Sequence, residues 1–197
     1  MRFNKIALLA VLVLGLNVSP SMARAGEATE QLRSTINDFV AILSGTPVAF
    51  LRAHGLPESA RRLVFARFDF SEMTRRSLGS HWGTLNQGEQ GEFVEGLSRR
   101  LLTSYGRTVR SSSGETIQFK GEVREGEQVK VTTQIVSESG ERLPIDYRLH
   151  DVNGQWKVYD VVIDHVSLVN NFRAQFERVI SKSSMQELLR RVKSQDS

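Results

Sequence analysis

The stretch that decides the fold is IDYRLHDVNGQWKVYDVVID, residues 145–164, in which apolar and polar side chains alternate on both sides of Asn153-Gly154. A period of two is typical of a strand with one buried face, and Asn-Gly is the strongest short-range signal of a two-residue hairpin turn. The stretch therefore predicts an antiparallel hairpin. Counting outward from the turn predicts three pairs on one face: Leu149 with Val158, Tyr147 with Asp160, and Ile145 with Val162.

Two more alternating segments precede the hairpin, so the chain is predicted to form four strands, at about 115–123, 128–137, 142–151 and 155–164. Short turns around Gly126 and Gly140 separate them, which favours antiparallel neighbours. Because a slip of one residue would turn every side chain to the other face, the apolar pattern also predicts a register. The predicted pairs are Ile117 with Ile135, Val123 with Val129, Ile135 with Ile145, and Val131 with Leu149.

In this register the strands share one continuous apolar face. Its members are Ile117, Phe119, Val123, Val129, Val131, Ile135, Ile145, Tyr147, Leu149, Trp156, Val158 and Val162. Asp160 is the exception on this face, since a carboxylate among apolar neighbours needs a partner. We favour a structural hydrogen bond between Asp160 and Tyr147; a polar contact beside a cavity is the alternative.

Helices are predicted on both sides of the sheet segment. From about residue 27 to 109 apolar side chains recur at helical spacing, with Ser71 as one expected cap and Asn86 followed by Glu89 as another. After the sheet, Ser167 and then Ser183 or Ser184 can each cap a further helix. The predicted class is α+β: a curved four-stranded antiparallel sheet with helices packed on its concave side, in a single domain over 26–197.

The first 25 residues have the pattern of a secretory signal peptide. Arg2 and Lys5 precede an apolar run over 6–18, and small residues around Ala25 suit cleavage after that residue. An uncleaved membrane anchor is the alternative, although the run is short for a span. The full chain has 26 Lys and Arg against 22 Asp and Glu, and the leader holds three of those bases and no acid. The remaining net charge of +1 argues against a nucleic-acid partner.

This sequence lacks the residues and motifs that several kinds of catalysis and metal binding require. There is no cysteine, which excludes thiol catalysis, zinc–thiolate sites, iron–sulfur clusters and lipid attachment at a cysteine. The four histidines are scattered, without a spacing that would place two metal ligands on one face. No nucleophile-elbow, dinucleotide or P-loop motif occurs. We therefore expect no catalytic residues, no metal and no cofactor.

Two segments resemble a known family. They are FDFSEMTRRSLG at 68–79, with Trp82 just after it, and YDVVIDHVSLVNNFRAQF at 159–176. Both are similar to the MlaC family, also called toluene-tolerance or organic-solvent-tolerance proteins. The resemblance implies a fold like that of the cystatin and nuclear-transport-factor group, with added helices around an apolar cavity.

The same resemblance implies a function and its partners. Family members are periplasmic phospholipid carriers that maintain the lipid asymmetry of the outer membrane. They pass lipid between an outer-membrane lipoprotein–porin complex and an inner-membrane ABC transporter with an MCE-domain subunit. The residues then expected to contact lipid are Phe119, Val129, Val131, Ile135, Ile145, Tyr147, Leu149, Trp156, Val158 and Val162.

Other interpretations of the same residues stay open. An apolar sheet face is usually ordinary core, which would make the protein an interaction module with a packed interior. An enzyme on a cone-shaped α+β scaffold would use Asp160 and Tyr147 as its acid–base pair. The basic pairs Arg75-Arg76 and Arg99-Arg100 would meet a lipid phosphate or an acidic partner, or only line solvated helix faces. Arg173 would anchor its helix or contact a partner.

Overall fold

The computed structural model describes residues 26–109 and 115–194. The predicted leader, residues 1–25, and its cleavage site after Ala25 lie outside the described residues. Within them the helices are α1 (Glu27–Ser44), α2 (Val48–His54), α3 (Glu58–Arg67), α4 (Phe70–Leu78), a 3-10 helix (Gly79–Thr84), α5 (Gln87–Val109), α6 (Leu168–Lys182) and α7 (Met185–Lys193). The strands are β1 (Thr116–Glu125), β2 (Gln128–Val136), β3 (Arg142–Val152), β4 (Gln155–Ile163) and β5 (Val166–Ser167).

The predicted α+β class is confirmed, with one strand more than predicted. The described strands form an antiparallel sheet in the order β1-β2-β3-β4-β5, and helices cover one of its faces. The added strand, β5, has two residues and pairs with the end of β4. A segment so short carries no alternating pattern, so the sequence could not indicate it.

The helix ends follow the predicted capping chemistry with one exception. Asn86 and Glu89 exchange side-chain-to-backbone hydrogen bonds of 2.9 and 3.0 Å, the reciprocal arrangement expected at the start of α5. Ser167 caps α6 and Ser184 caps α7. The prediction for α4 was wrong by two residues, because Asp69 rather than Ser71 accepts the free backbone N–H of the first turn.

The predicted strand register is right for two pairs, and it is wrong on the other side of each of two bulges and between β2 and β3. Leu149 pairs with Val158, and Ile117 with Ile135, as predicted. Between those pairs and the other ends of the strands, β4 and β1 each contain one extra residue, Tyr159 and Lys120. A bulge shifts the register by one and therefore exchanges the two faces of the strand beyond it.

Five predicted pairs are wrong, three of them because of the bulges. Beyond the β4 bulge, Tyr147 pairs with Val161 and Ile145 with Ile163, in place of Asp160 and Val162. Beyond the β1 bulge, Val123 pairs with Lys130 in place of Val129. Between β2 and β3 the register is offset by two residues, so the partners of Ile135 and Val131 are Leu143 and Tyr147 in place of Ile145 and Leu149. An offset of two leaves each side chain on its predicted face.

Each bulge places a carboxylate at the N-terminus of a helix. Beyond Lys120, Glu122 accepts hydrogen bonds from the backbone N–H groups of Gly26 and Thr29 and from the Thr29 hydroxyl, at 2.7–3.1 Å. Beyond Tyr159, Asp160 accepts the backbone N–H of Val169 in the first turn of α6. Negative charge is favourable at a helix N-terminus. The bulges therefore fix where α1 and α6 join the sheet.

Helix α3 is joined to α1 and to β4 by one arginine. Arg67 donates to the Thr35 hydroxyl and to the Gln31 side chain in α1, and also to the Trp156 carbonyl oxygen in β4. Partial burial lowers the pKa of Arg67. Gln31 in turn accepts the Trp156 N–H, so both elements share one polar junction.

Within the described residues no single helix is both long and apolar enough to cross a bilayer. One pair, Glu27–Ser44 with Val48–His54, has the required length and composition together but bends by 102° between its two parts.

Candidate functional site

The helix-covered face of the sheet is apolar and carries most of the residues expected to contact lipid. Nine of the ten residues expected to contact lipid lie in or against its hydrophobic core. Six of them are buried: Val129, Val131, Ile145, Leu149, Trp156 and Val158. Phe119, Ile135 and Tyr147 are partly buried and pack against that core. The structure therefore brings these nine side chains together, as the alternating pattern indicated.

Val162 is the exception, because it lies outside the core cluster. Val161 and Ile163 take its place, since the bulge at Tyr159 turns the last part of β4 over. Because β4 has apolar residues on both faces, its sequence does not indicate at which residue the buried face changes. A role for any of the ten residues in lipid contact stays a prediction.

Helical side chains close the apolar face. Leu32, Met73 and Phe93 are at most 1% exposed, and Phe172 and Phe176 of α6 complete the cover. Beneath them Val131, Leu149 and Val158 are fully inaccessible. A hydrocarbon chain could reach the sheet only if part of this cover moved. The interior is thus a packed core in the conformation described.

The helices that cover the apolar face differ in how many of their side chains are buried, and α1 is well buried only at its start. In α1 the buried residues, Ala28, Thr29 and Leu32, all lie in the first two turns. Further along, Val40 in α1 and Val48 and Phe50 in α2 are exposed large apolar side chains. Segments with few buried contacts open at the lowest free-energy cost. The second half of α1, which has no buried side chain, and α2, which has one, Leu51, are therefore parts of the cover that open at low cost.

Tyr147 is a titratable side chain on the apolar face. Burial raises its pKa to about 12, because the phenolate is poorly solvated there. The hydroxyl therefore stays neutral throughout the physiological pH range. A general base with this pKa would be protonated at neutral pH, which is unsuited to proton abstraction.

The raised pKa of Tyr147 predicts a specific loss of stability in alkali. Above the ordinary pKa of about 10 the unfolded chain ionises while the folded one does not, so the folded state loses stability as the pH rises from about 10 to 12. The free energy of unfolding of the wild-type protein should fall by on the order of 2 kcal/mol over that interval because of Tyr147, and we expect Tyr147→Phe to abolish this fall. Urea unfolding of both proteins at pH 9 and pH 11.5 measures it. Parallel pH profiles would contradict the assignment.

Asp160 is buried and serves a structural purpose. Its side chain is 2% exposed and accepts hydrogen bonds from the Ser167 hydroxyl at 2.7 Å, the Val169 N–H at 3.1 Å and the Arg148 guanidinium at 3.2 Å. The predicted hydrogen bond to Tyr147 is wrong, because the β4 bulge points Asp160 away from that residue. The pair required by the enzymatic interpretation is not assembled.

Neither of two clefts on the surface is lined by any of the ten predicted residues. The larger, about 460 Å³, lies between α4, the 3-10 helix and α5, with Phe65, Trp82 and Val94 among its apolar walls. The smaller, about 120 Å³, is lined by Arg76, Arg148, Tyr159, Asp160, Val169, Asn170 and Arg173. Sequence reasoning singled out Arg76 and Arg173 separately. Their meeting with Arg148 depends on how α4, β3 and α6 pack.

Across 26–109 and 115–194, no group of three or more His, Cys, Asp or Glu side chains is placed to hold a metal ion. Of the histidines, His150 contacts Asp69 and His81 contacts Glu177, each as an isolated pair.

Comparison with known proteins gives consistent matches. The sequence model described as MlaC protein matches residues 33–194. Toluene tolerance protein ttg2D of Pseudomonas putida is 22% identical over 155 residues, which make up 78% of this chain and 65% of that protein, slightly under two thirds of its length. A solved structure of a phospholipid-binding protein from Ralstonia solanacearum, in complex with a phospholipid, is similar with a TM-score of 0.74 and 25% identity. That match covers 84% of this chain and 94% of the other.

Proposed function

The chain belongs to the MlaC family, and from this premise we propose that it is a periplasmic phospholipid carrier that holds acyl tails between the apolar face of its sheet and the helices that cover it. The observation that carries the proposal is the fold match to a protein solved with a phospholipid bound, which covers nearly all of that protein. The apolar face offers the lining that hydrocarbon needs.

The energetics explain why such a carrier is needed. Each buried methylene contributes about 0.8 kcal/mol, so one tail of roughly sixteen carbons resists transfer into water by on the order of 10 kcal/mol. A dry compartment in the protein removes most of that barrier. Loading would displace the second half of α1 together with α2, since the first has no buried side chain and the second has one, Leu51. No step requires an acid, a base or a metal, so we propose that the protein is not an enzyme.

Export and partners complete the proposal. We infer that the leader is removed after Ala25 and that the protein works in the periplasm, as the leader and the family resemblance suggest. It would exchange phospholipid with an outer-membrane lipoprotein–porin complex and an inner-membrane ABC transporter with an MCE-domain subunit, and so maintain outer-membrane lipid asymmetry. The net charge of +1 after removal of the leader supports neither nucleic acid nor a strongly acidic surface as a partner.

The proposal is tested by the lipid that accompanies the protein. We expect protein purified from the periplasm of a Gram-negative host, extracted with organic solvent and analysed by mass spectrometry, to carry phospholipid at about one molecule per chain. Ile135→Glu puts a charge on the partly buried rim of the apolar face, and we expect it to lower the lipid content by at least about tenfold.

The matched control is Val136→Glu, the next residue of β2. Its side chain points to the other face of the sheet, so the same added charge should leave the lipid content unchanged. Circular dichroism checks that both variants are folded. Wild-type protein that is free of lipid and takes none from liposomes would refute the function. Equal lipid in the two variants would refute only the choice of face.

A further inference from the structure

The smaller cleft concentrates positive charge in a concave site. Three guanidinium groups line it, from Arg76 on α4, Arg148 on β3 and Arg173 on α6, against the single carboxylate of Asp160. Both oxygens of that carboxylate already accept hydrogen bonds within the fold. The cleft therefore has an excess of cationic donors directed at a small volume of about 120 Å³.

Each arginine is held in position by a contact of its own. The Arg76 guanidinium lies 4.0 Å from the centroid of the Tyr159 ring and donates to Glu72 at 2.7 Å. Arg148 donates to Asp160, and Arg173 donates through Nε to the Arg76 carbonyl oxygen at 3.0 Å. Side chains fixed in this way lose little freedom when they bind an anion.

Arg173 has unused donor capacity. Among the described residues, no carboxylate oxygen lies within ion-pair distance of its guanidinium, whose recorded hydrogen bond is to a neutral carbonyl. Gly79 provides the space beside it, since a Cβ at that position would approach the terminal nitrogen of Arg173 to 3.3 Å. Its terminal N–H groups thus remain available to a ligand.

The cleft also borders the apolar interior. Val169 lines the cleft and belongs to the hydrophobic core, and Tyr159 beside it is buried. An anionic group in the cleft and hydrocarbon in the core would therefore lie on adjoining parts of the molecule. Guanidinium groups bind phosphate oxygens in a forked geometry and do so better than an ammonium group would.

We propose that the cleft of Arg76, Arg148 and Arg173 binds a phosphate group; this rests on the proposed function where the phosphate is that of a carried lipid. A lipid head group and a free phosphate ester share this chemistry. The site would select phosphorylated lipids over neutral ones with the same tails. It would also fix the orientation of the lipid, with the head group at the N-terminus of α6.

The experiment compares two fluorescent tracers in phosphatidylcholine vesicles, a phosphatidylglycerol and a diacylglycerol with identical tails. We expect the wild-type protein to take up the phosphatidylglycerol at least about tenfold better. Arg173→Glu should reduce that preference to near parity without changing diacylglycerol uptake. Arg178→Glu, on the same helix but outside the cleft, makes the same charge change and should behave as wild type. Arg173→Gln repeats the test without introducing a negative charge.

A second arm identifies the source of the phosphate. Glycerol 3-phosphate is titrated while the Arg173 Nε–H resonance is followed by NMR. Saturable shifts together with an arginine-dependent lipid preference assign the site to the head group, whereas shifts with no lipid preference assign it to a free phosphate ester. No shift and no preference, with tail uptake intact, would overturn this inference alone. No uptake of either tracer would overturn the proposed function.

Discussion

Replacement of Asp160 by alanine is expected to lower the free energy of unfolding by about 3–5 kcal/mol, the loss typical of a buried charge network deprived of one member. Its carboxylate joins three parts of the fold: β3 through Arg148, the cap of α6 through Ser167, and the first turn of α6 through Val169. Removal leaves a buried N–H group without its acceptor and takes the negative charge from the helix N-terminus. The free energy of unfolding of a native domain is about 5–15 kcal/mol in total, so the variant would be only marginally folded.

Chemical denaturation followed by circular dichroism measures this loss. Asp146→Ala is the matched control, because Asp146 lies on the neighbouring strand β3 and makes no recorded hydrogen bond with another described side chain. We expect that control to change stability by no more than about 0.5 kcal/mol. If the two variants proved equally stable, Asp160 would not be the anchor of α6.

Gly96 is the second position at which a small change should have a large effect. It lies inside α5 where α7 crosses closely, and a Cβ there would clash with the Val192 side chain and lie 2.7 Å from the Val192 carbonyl oxygen. A backbone oxygen cannot move out of the way as a side-chain tip can. Although alanine favours helix by about 1 kcal/mol over glycine, we expect Gly96→Ala to lower the free energy of unfolding by about 1–3 kcal/mol.

The same helix supplies a control of opposite sign. Gly91 is exposed, and a Cβ at that position would meet nothing within 4 Å. Gly91→Ala should therefore raise the free energy of unfolding by up to about 1 kcal/mol through helix propensity alone. Thermal or urea unfolding of the two variants distinguishes packing from propensity. A stabilised Gly96→Ala protein would mean that α7 is not fixed against α5.

Local signals in the sequence were sufficient for most of the elements and for the caps of α5, α6 and α7. Asn153-Gly154 placed the hairpin, and Asn86 with Glu89 placed the start of α5, because both signals act within a few residues. The apolar face followed from the period of two. Helix α2 was not predicted as a separate element, since Pro47 and Gly55 on either side of a seven-residue segment resemble a loop.

The register beyond each bulge could not be predicted, for a physical reason. Gly121 next to Lys120 was a weak sign of a bulge, but Tyr159 has strong strand propensity and gave none. Each bulge is stabilised by a carboxylate that binds the N-terminus of a helix. Glu122 reaches Thr29, 93 residues away, and Asp160 reaches Val169, nine residues away on the far side of β5. The arginine cleft was hidden for the same reason, because it forms only when three separate elements pack together.

The bulge in β1 also affects whether a second copy of the chain can pair with this edge of the sheet. β1 is the outermost strand of the described sheet, and strands in that position are templates on which a second copy can add and start aggregation. Lys120 interrupts the regular ladder there, and Glu122, Arg124 and Glu125 place charges along the remainder. An edge strand that is bulged and charged is a poor template for pairing with another chain, so we expect little aggregation through β1 even at high protein concentration.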